Sequence, residues 1–233
     1  ARAPGSTKSI KTSRAFTCDL LLSMIYKDPA VILPEMLSLL IKIQEDAFFH
    51  DFFLVGGTAL ALQIGHRLSV DLDFFTTRPF DTQLAESYLS TKYGFYIDFV
   101  AANTLKGFIQ NIKVDFLTHA YTLVKPLIKE AGLSLASPQD IGAMKLNAIA
   151  HSGNRQKDFY DLYFLLEYHS LQELLNTYQI KYPNSNPLIP LKGITWFEDI
   201  DFQIEKPMLK QQIAFKEVKR RLLEATINPE KVF

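Results

Sequence analysis

Apolar and polar positions follow two different spacings along the chain, and the spacing predicts where helices and strands lie. Apolar residues recur every three or four positions over 16–26 and 34–47, which predicts two helices, the second entered at Pro34. The apolar run 52–55 predicts a buried strand, and the two glycines after it predict a turn before a further helix. A strand over 69–75 completes a unit that is typical of mixed α and β domains.

The middle of the chain predicts one more helix and a series of short strands. The helix covers 81–93 and is ended by Gly94. Strands are expected near 95–101, 106–110 and 112–118. The sequence therefore predicts a sheet of about five strands.

The spacing becomes helical from Ser137 onward. Ser137 is a favourable N-cap, and Pro138 suits the first position of a helix. Three further helices are expected, with a loop-rich segment over 181–208 before the last: 156–169, 171–178 and a basic amphipathic helix over 209–225. The chain therefore divides into an α/β core over 30–125 and a helical region over 135–233.

Composition excludes several classes of protein. Hydrophobic residues make up 48% and charged residues 21% of the 233, which is typical of a globular rather than a disordered protein. Equal totals of 25 basic and 25 acidic residues argue against a uniformly basic surface that coats nucleic acid, although a local basic patch is still allowed.

The cysteine content and the length of apolar runs indicate in which cellular compartment we expect the protein. Cys18 is the only cysteine, so an intramolecular disulfide is excluded and we expect a small packed side chain in a reducing compartment, the cytoplasm. No apolar run reaches the roughly 18 residues of a membrane helix, and the start of the chain lacks the apolar core of a secretory signal.

Two carboxylates in one strand are the first candidate for chemistry. Asp71 and Asp73 alternate with Leu72 and Phe74, so both acids face one side, about 7 Å apart along the strand. Adjacent anions repel, and a hard cation such as Mg²⁺ relieves that repulsion. The alternative is a pair of exposed carboxylates at the end of a strand.

The glycines and a third acid strengthen this hypothesis. Gly56 and Gly57 come just before a helix, where free N–H groups bind anions, although ordinary turns use the same residues. Asp115 lies in another short apolar strand, where a carboxylate needs a partner. Together these residues indicate a two-metal phosphoryl-transfer or nucleotidyl-transfer site.

Several other polar residues have two interpretations. His66 and Arg67 precede the acidic strand; Arg67 could bind phosphate, and His66 is as readily a loop residue without a role. Asp158 and Asp161 share one helix face and could hold a cation such as Lys145 or Arg155, and Asp158 is the better candidate for the site. The basic stretch 216–221 is either a solvated helix face or a contact for RNA phosphates.

Four segments together resemble the AbiEii/AbiGii family of nucleotidyltransferase-like toxins. They are "GGTALALQIGHRLSVDLDFF", "IKVDFL", "DIGAMKLNAIAHSGNRQKDFYDLYFLL" and "ITWFEDID" followed by "KPM". The resemblance covers roughly residues 35–225, which makes it far more specific than any one motif.

The resemblance implies a fold and a set of site residues. The fold is the α+β, polymerase-β-like nucleotidyltransferase fold, a mixed-sheet core with N-terminal helices and a C-terminal helical region. The implied catalytic and metal-binding residues are Asp71, Asp73 and Asp115. The implied nucleotide-binding residues are Gly56, Gly57, Thr58, Arg67, Lys145 and Asp158. Thr58 stands where many superfamily members have serine and keeps the hydroxyl, whereas Lys145 could instead extend to solvent from the edge of its helix.

The resemblance also implies cofactors and partners. They are Mg²⁺, a nucleoside triphosphate, an acceptor hydroxyl on RNA such as tRNA or on a protein, and a cognate antitoxin if the chain is the toxin of a toxin–antitoxin or phage-defence system. The alternative is a non-catalytic protein that keeps the fold and binds a nucleotide, an RNA or an antitoxin. Transfer of a labelled nucleotide would distinguish the two.

Overall fold

One mixed sheet of seven strands organises the chain, and eight α-helices surround it within residues 25–204 and 206–233, which the structure, a computed structural model, describes. The strands are β1 (Phe53–Val55), β2 (Asp71–Thr76), β3 (Tyr96–Ala101), β4 (Thr104–Ile109), β5 (Ile112–Thr118), β6 (Ile128–Glu130) and β7 (Leu133–Leu135). The helices are α1 (Pro34–Gln44), α2 (Gly56–Ile64), α3 (Thr82–Tyr93), α4 (Pro138–His151), α5 (Gln156–Leu165), α6 (Leu171–Lys181), α7 (Leu188–Gly193) and α8 (Phe215–Ile227), and Ala47–Phe49 form a 3₁₀ turn. The expected α+β class with a mixed sheet is confirmed.

The order of the strands decides which side chains meet. Across the sheet it is β3-β4-β5-β2-β1-β7-β6. β2 runs parallel to β5, and β1 runs parallel to β7, whereas the other neighbouring strands are antiparallel. The register of β2 and β5 places Asp73 opposite Asp115. Two acids that are far apart in the sequence therefore become neighbours.

The two faces of β2 carry different kinds of side chain. Leu72 and Phe74 are fully buried, and the Phe74 ring stacks on Phe116 of β5 with ring centroids 5.1 Å apart. Asp71 and Asp73 are only partly buried and lie on the opposite face, as the alternation predicts. One face of the strand therefore builds the core, while the other presents carboxylates.

Helix ends agree well with the sequence signals. The Ser137 hydroxyl accepts the Asp140 N–H at the start of α4, and Pro138 is the first residue of that helix. Asp81 caps α3 in the same way, and Gly94 ends α3 with φ +67°. Capping chemistry therefore fixes these boundaries locally.

The expected number of strands is wrong by two. β6 and β7 were not predicted, because three residues each are too few to show an alternating pattern. β6 lies between the predicted core, 30–125, and the predicted helical region, 135–233, and β7 extends to the first residue of that region. β7 pairs with β1, so this connecting stretch is part of the sheet.

The last helix begins at Phe215 rather than at Leu209. Leu209 instead forms a β-bridge with Arg67, and the Lys210 N–H donates to the His66 carbonyl over 3.0 Å. Since these backbone contacts hold the segment extended, the amphipathic pattern there does not become helix. Tertiary pairing overrides the local propensity.

Smaller differences concern three other segments. Gly56 and Gly57 are the first two residues of α2 rather than a separate turn before it. The helix expected over 156–169 ends at Leu165, and α7 lies within the segment that was expected to be loop.

Two expectations fall largely on residues that the structure does not describe. The helix over 16–26 lies there except for Ile25 and Tyr26, which are not helical, and Cys18 lies there as well. Among the described helices, none has both the length and the apolar character needed to cross a membrane.

Candidate active site

Three carboxylates meet on the open face of the sheet. Asp71 and Asp73 come from β2, and Asp115 comes from β5 directly opposite Asp73. Burial raises the pKa of Asp73 to about 6, and the charges of Asp115 and Asp71 add to this shift. Without a cation, this arrangement disfavours a full set of negative charges.

Lysines partly balance the outer acids. Lys157 Nζ lies 3.7 Å from Asp71 Oδ2, and Lys106 Nζ, on β4, lies 3.2 Å from Asp115 Oδ2. The other oxygen, Asp115 Oδ1, is buried and has no hydrogen-bond partner among the described residues. A buried carboxylate oxygen without a partner is costly, so it marks a place for an external ligand.

The donor set fits Mg²⁺ in part. Mg²⁺ prefers oxygen ligands and commonly completes its coordination with waters and substrate phosphates. Asp73 and the unpartnered oxygen of Asp115 supply such ligands. Within residues 25–204 and 206–233, however, no group of three or more His, Cys, Asp or Glu side chains is arranged to hold a metal ion by itself. The residues therefore suit a cation that arrives with a phosphate ligand.

The two glycines at the start of α2 are needed for different reasons. Gly56 has φ +70°, and a Cβ there would lie 2.5 Å from Asp73 Oδ2. A Cβ on Gly57 would collide with Nη2 of Arg67. Val55, the N-cap residue, provides no side-chain cap, so the first N–H groups of α2 are left for an anion.

Behind the cleft, Asp161 of α5 contacts both α4 and the segment that precedes β2. Its carboxylate accepts hydrogen bonds from Arg67 Nε at 2.7 Å, Arg67 Nη2 at 3.0 Å and His66 Nε2 at 2.8 Å, and it lies 2.7 Å from Lys145 Nζ. Burial alone would raise the pKa of Asp161, but the charges of Arg67 and Lys145 and the bond from His66 hold it well below its usual range. Burial also lowers the pKa of His66, which favours the neutral ring.

Lys145 is held between two acids. Its Nζ lies 2.6 Å from Asp158 Oδ1, and Asp158 Oδ2 also pairs with Arg155 Nη2 at 3.0 Å. Burial by itself would lower the pKa of Lys145, yet Asp158 and Asp161 raise it, so the ammonium keeps its charge. At 6% exposure Lys145 does not extend to solvent, which removes the alternative of a lysine at a helix edge.

The structure places most of the predicted residues around one cleft of about 360 Å³. The predicted residues that line it are Gly56, Gly57, Arg67, Asp71, Asp73, Asp115 and Lys145. The cleft lies between the sheet and the helices, because β2 and β5 form one wall and α4 contributes to another.

Two predicted residues stand behind the cleft rather than in its lining. Thr58 is buried, and its hydroxyl donates to the Asp71 carbonyl and lies 2.9 Å from the Ser69 hydroxyl. Asp158 is buried against Lys145 and Arg155. Both therefore position other residues of the site.

The family comparison agrees with this geometry. The model of the family described as "Nucleotidyl transferase AbiEii toxin, Type IV TA system" matches residues 38–230. The chain belongs to this family. It is therefore a nucleotidyltransferase of the AbiEii toxin family, and the resemblance seen in the sequence is confirmed.

Individual relatives add little about the site. The uncharacterized protein aq_aa25 of Aquifex aeolicus is 37% identical to this AbiEii-family chain over 156 residues, which are 64% of this chain and 75% of the relative. JHP933 from Helicobacter pylori has a TM-score of 0.48 at 16% identity, with 94% of this chain and 93% of the other covered. An antigenic nucleotidyltransferase-like protein from Paracoccidioides brasiliensis has a TM-score of 0.41 at 15% identity over 67% and 90%. We draw no inference about the site from these two structures.

Several lining residues of this AbiEii-family protein were not predicted. Lys157 lies next to Asp158 in the sequence and could have been included with the acids. Lys106 needed the register of β4 with β5, which opposes it to Asp115. His119 and Tyr182 carry no local signal, because only the tertiary fold brings them to the cleft.

Proposed function

We propose that this AbiEii-family nucleotidyltransferase transfers a nucleotide from a nucleoside triphosphate to an acceptor hydroxyl, with Mg²⁺ as cofactor. The acceptor is an RNA, such as a tRNA, or a protein, and the chain acts as the toxin of a toxin–antitoxin or phage-defence system with a cognate antitoxin. The observation that carries the proposal is the opposition of Asp73 to Asp115 in the same cleft as the glycine-opened start of α2.

In this proposal the three acids hold the metal. Asp71, Asp73 and Asp115 provide carboxylate oxygens, and Asp115 Oδ1 has no hydrogen-bond partner among the described residues. When bound, Mg²⁺ supplies neutralisation of the charge that develops on the phosphate oxygens. The raised pKa of Asp73 supports this assignment, since a carboxylate crowded by other carboxylates gains most from a cation.

The opposite side of the site holds the triphosphate. The N–H groups at Gly56 and Gly57 would donate to the phosphate oxygens, and Arg67 and Lys145 line the same cleft and supply positive charge. Asp161 contacts both cations, so their charged ends are fixed before substrate arrives. Such preorganisation lowers the cost of reorienting the site during the reaction.

The step itself is an in-line displacement. The acceptor oxygen forms a bond to the α-phosphorus, the bond from that phosphorus to the oxygen bridging to the β-phosphate breaks, and pyrophosphate leaves. Asp115 accepts the proton of the attacking hydroxyl at a carboxylate oxygen. Thr58 keeps the backbone of Asp71 in place during this step.

A labelling experiment tests the proposal. The protein is incubated with each α-labelled nucleoside triphosphate, Mg²⁺ and total RNA, and transfer of label to RNA or to protein is measured. We expect transfer with at least one nucleotide, its loss in EDTA, and its loss in Asp73→Asn. Asp98→Asn, the same change at an exposed position of β3, is the matched control and should label like the wild type.

Two results would contradict parts of this proposal. Label transfer that persists in Asp73→Asn would mean that the three acids are not the catalytic site. An absence of transfer with every nucleotide, together with nucleotide binding, would instead favour the non-catalytic alternative.

A further inference from the structure

The cleft differs chemically from one end to the other. Along β2, the residues on the open face are Asp71, Asp73 and Phe75 in succession, with about 7 Å between Asp73 and Phe75 by the rise of a strand. Lys157 lies beside Asp71 at one end of this row. The other end is aromatic.

Three aromatic side chains line this other end: Phe75, His119 and Tyr182. The His119 ring stacks on Phe75 with ring centroids 5.0 Å apart and an angle of 27° between the planes. Tyr182 meets His119 edge-on at 6.1 Å. The backbone N–H of His119 donates to the Thr76 carbonyl over 2.8 Å, so the main chain holds residue 119 next to the end of β2.

The electrostatics of His119 suit a stacking surface. Burial lowers its pKa to about 4, and the nearby charge of Lys181 adds to the shift. The imidazole is therefore neutral at pH 7 and presents an uncharged ring. Phe75 and His119 are only partly buried, so part of each ring faces the cleft.

We propose that Phe75 and His119, with the buried Tyr182 packed edge-on against His119, form the subsite for the base of the nucleoside triphosphate. A nucleotide has an anionic tail and a flat aromatic base, and the cleft offers the two matching surfaces on either side of the acids. Stacking on aromatic side chains tolerates every base, so the subsite should bind all four nucleotides without strong preference. This inference rests on the proposed function, because it assumes that the triphosphate lies against Gly56 and Gly57.

Equilibrium binding tests the subsite. Calorimetry with Mg²⁺ compares non-hydrolysable α,β-methylene nucleoside triphosphates with inorganic tripolyphosphate, which has no base. We expect His119→Ala to weaken nucleotide binding about tenfold or more and to leave tripolyphosphate binding unchanged, since stacking is lost and the phosphate contacts remain. His119→Phe keeps a flat ring and should bind nucleotides within about threefold of the wild type.

Two controls separate a lost subsite from a damaged fold. His50→Ala removes an exposed histidine outside the cleft and should bind both ligands like the wild type. Thermal midpoints of all variants are measured on the same preparations. Lys157→Ala, at the cationic end, should weaken the binding of both ligands together.

Several outcomes would overturn the assignment. They are nucleotide binding by His119→Ala at wild-type affinity, an equal loss of tripolyphosphate binding, or a loss in His119→Phe as large as in His119→Ala. Unchanged nucleotide affinity with a raised KM for the acceptor RNA would place the acceptor's base there instead. In all these cases the wild type still binds both ligands, whereas a wild type that binds neither would overturn the proposed function itself.

Discussion

The surroundings of Asp46 and those of Asp73 in the cleft shift the pKa of the carboxylate in opposite directions. Asp46 is almost buried and accepts hydrogen bonds from the Phe48 N–H at 3.1 Å, the Tyr93 hydroxyl at 2.7 Å and Lys92 Nζ at 2.8 Å, with the Tyr88 hydroxyl also in reach. These partners outweigh burial and lower its pKa to about 2. In the cleft, by contrast, the pKa of Asp73 is raised to about 6.

The two sites differ in whether the protein itself supplies the partners of the carboxylate. The chain itself completes the surroundings of Asp46, which makes that carboxylate a link between the 3₁₀ turn and α3. In the cleft the chain leaves Asp73 facing Asp115, with one buried oxygen unpartnered among the described residues. A carboxylate whose hydrogen bonds the protein leaves incomplete is a better candidate for binding an external cation than a carboxylate whose hydrogen bonds it completes.

The largest expected effect is on the rate of transfer in Asp115→Asn. Because the change removes a charge that acts mainly in the transition state, the rate should fall by about three orders of magnitude or more, while nucleotide affinity changes little. Single-turnover labelling and calorimetry on the same preparation measure both, with Asp98→Asn as control. A rate within about threefold of the wild type would mean that Asp115 is not catalytic.

A change at Asp161 should affect both stability and activity. The protein supplies all partners of this carboxylate, as it does for Asp46, but two of them, Arg67 and Lys145, line the cleft. Asp161→Asn leaves the buried charges of Arg67 and Lys145 without their common partner, so unfolding by urea should show a loss of about 3–5 kcal/mol, and transfer should fall as well. Asp158→Asn, on the same helix, is the matched variant and should cost less, because Lys145 keeps Asp161 as a partner and Arg155 is partly exposed. Equal losses of unfolding free energy in the two variants would show that Asp161 is no more important than Asp158 for holding Arg67 and Lys145.

Asp46→Asn should affect stability alone. The loss of its charge-assisted hydrogen bonds should cost about 1–2 kcal/mol, reduced because Lys92 is half exposed. Urea unfolding at pH 7 measures this, and labelling should proceed at the wild-type rate. A fall in the transfer rate without a loss of stability would contradict the distinction between the two groups.

The smallest effect appears when the pH is lowered. The pKa of Asp46 is about 2 in the folded chain against an ordinary value of 3.8, so its contribution to the free energy of unfolding is complete above about pH 4 and disappears as the pH falls toward 2. The difference in unfolding free energy between wild type and Asp46→Asn should therefore shrink over this interval. A difference that stays constant down to pH 2 would show that the carboxylate charge does not matter.

Local patterns in the sequence predict much of this site. The alternation around Asp71 and Asp73 and the cap at Ser137 depend only on neighbouring residues, and the structure agrees with both. The glycine pair marks the start of a helix, although the two residues belong to the helix itself rather than to a turn before it. The position of Lys145 on a helix and its pairing with Asp158 and Asp161 could be predicted in the same way, but its burial could not.

The rest depends on contacts between distant segments. The opposition of Asp115 to Asp73 requires the parallel pairing of β2 and β5, which no local signal reveals. The central role of Asp161 requires knowing that α5 packs behind Arg67. Short strands such as β6 and β7 could not be predicted for a different reason, because three residues are too few to show an alternation of apolar and polar positions.

The bond between Arg67 and Asp161 also has a consequence during synthesis on the ribosome. The two residues are 94 positions apart. At an elongation rate of about 5–20 residues per second, Arg67 emerges roughly 5 to 20 s before its partner exists. During that interval the guanidinium cannot be buried without an uncompensated charge, so the cleft cannot close around it. A nascent chain therefore reaches its working form only late in translation, when α5 and the segment that pairs with Arg67 have left the exit tunnel.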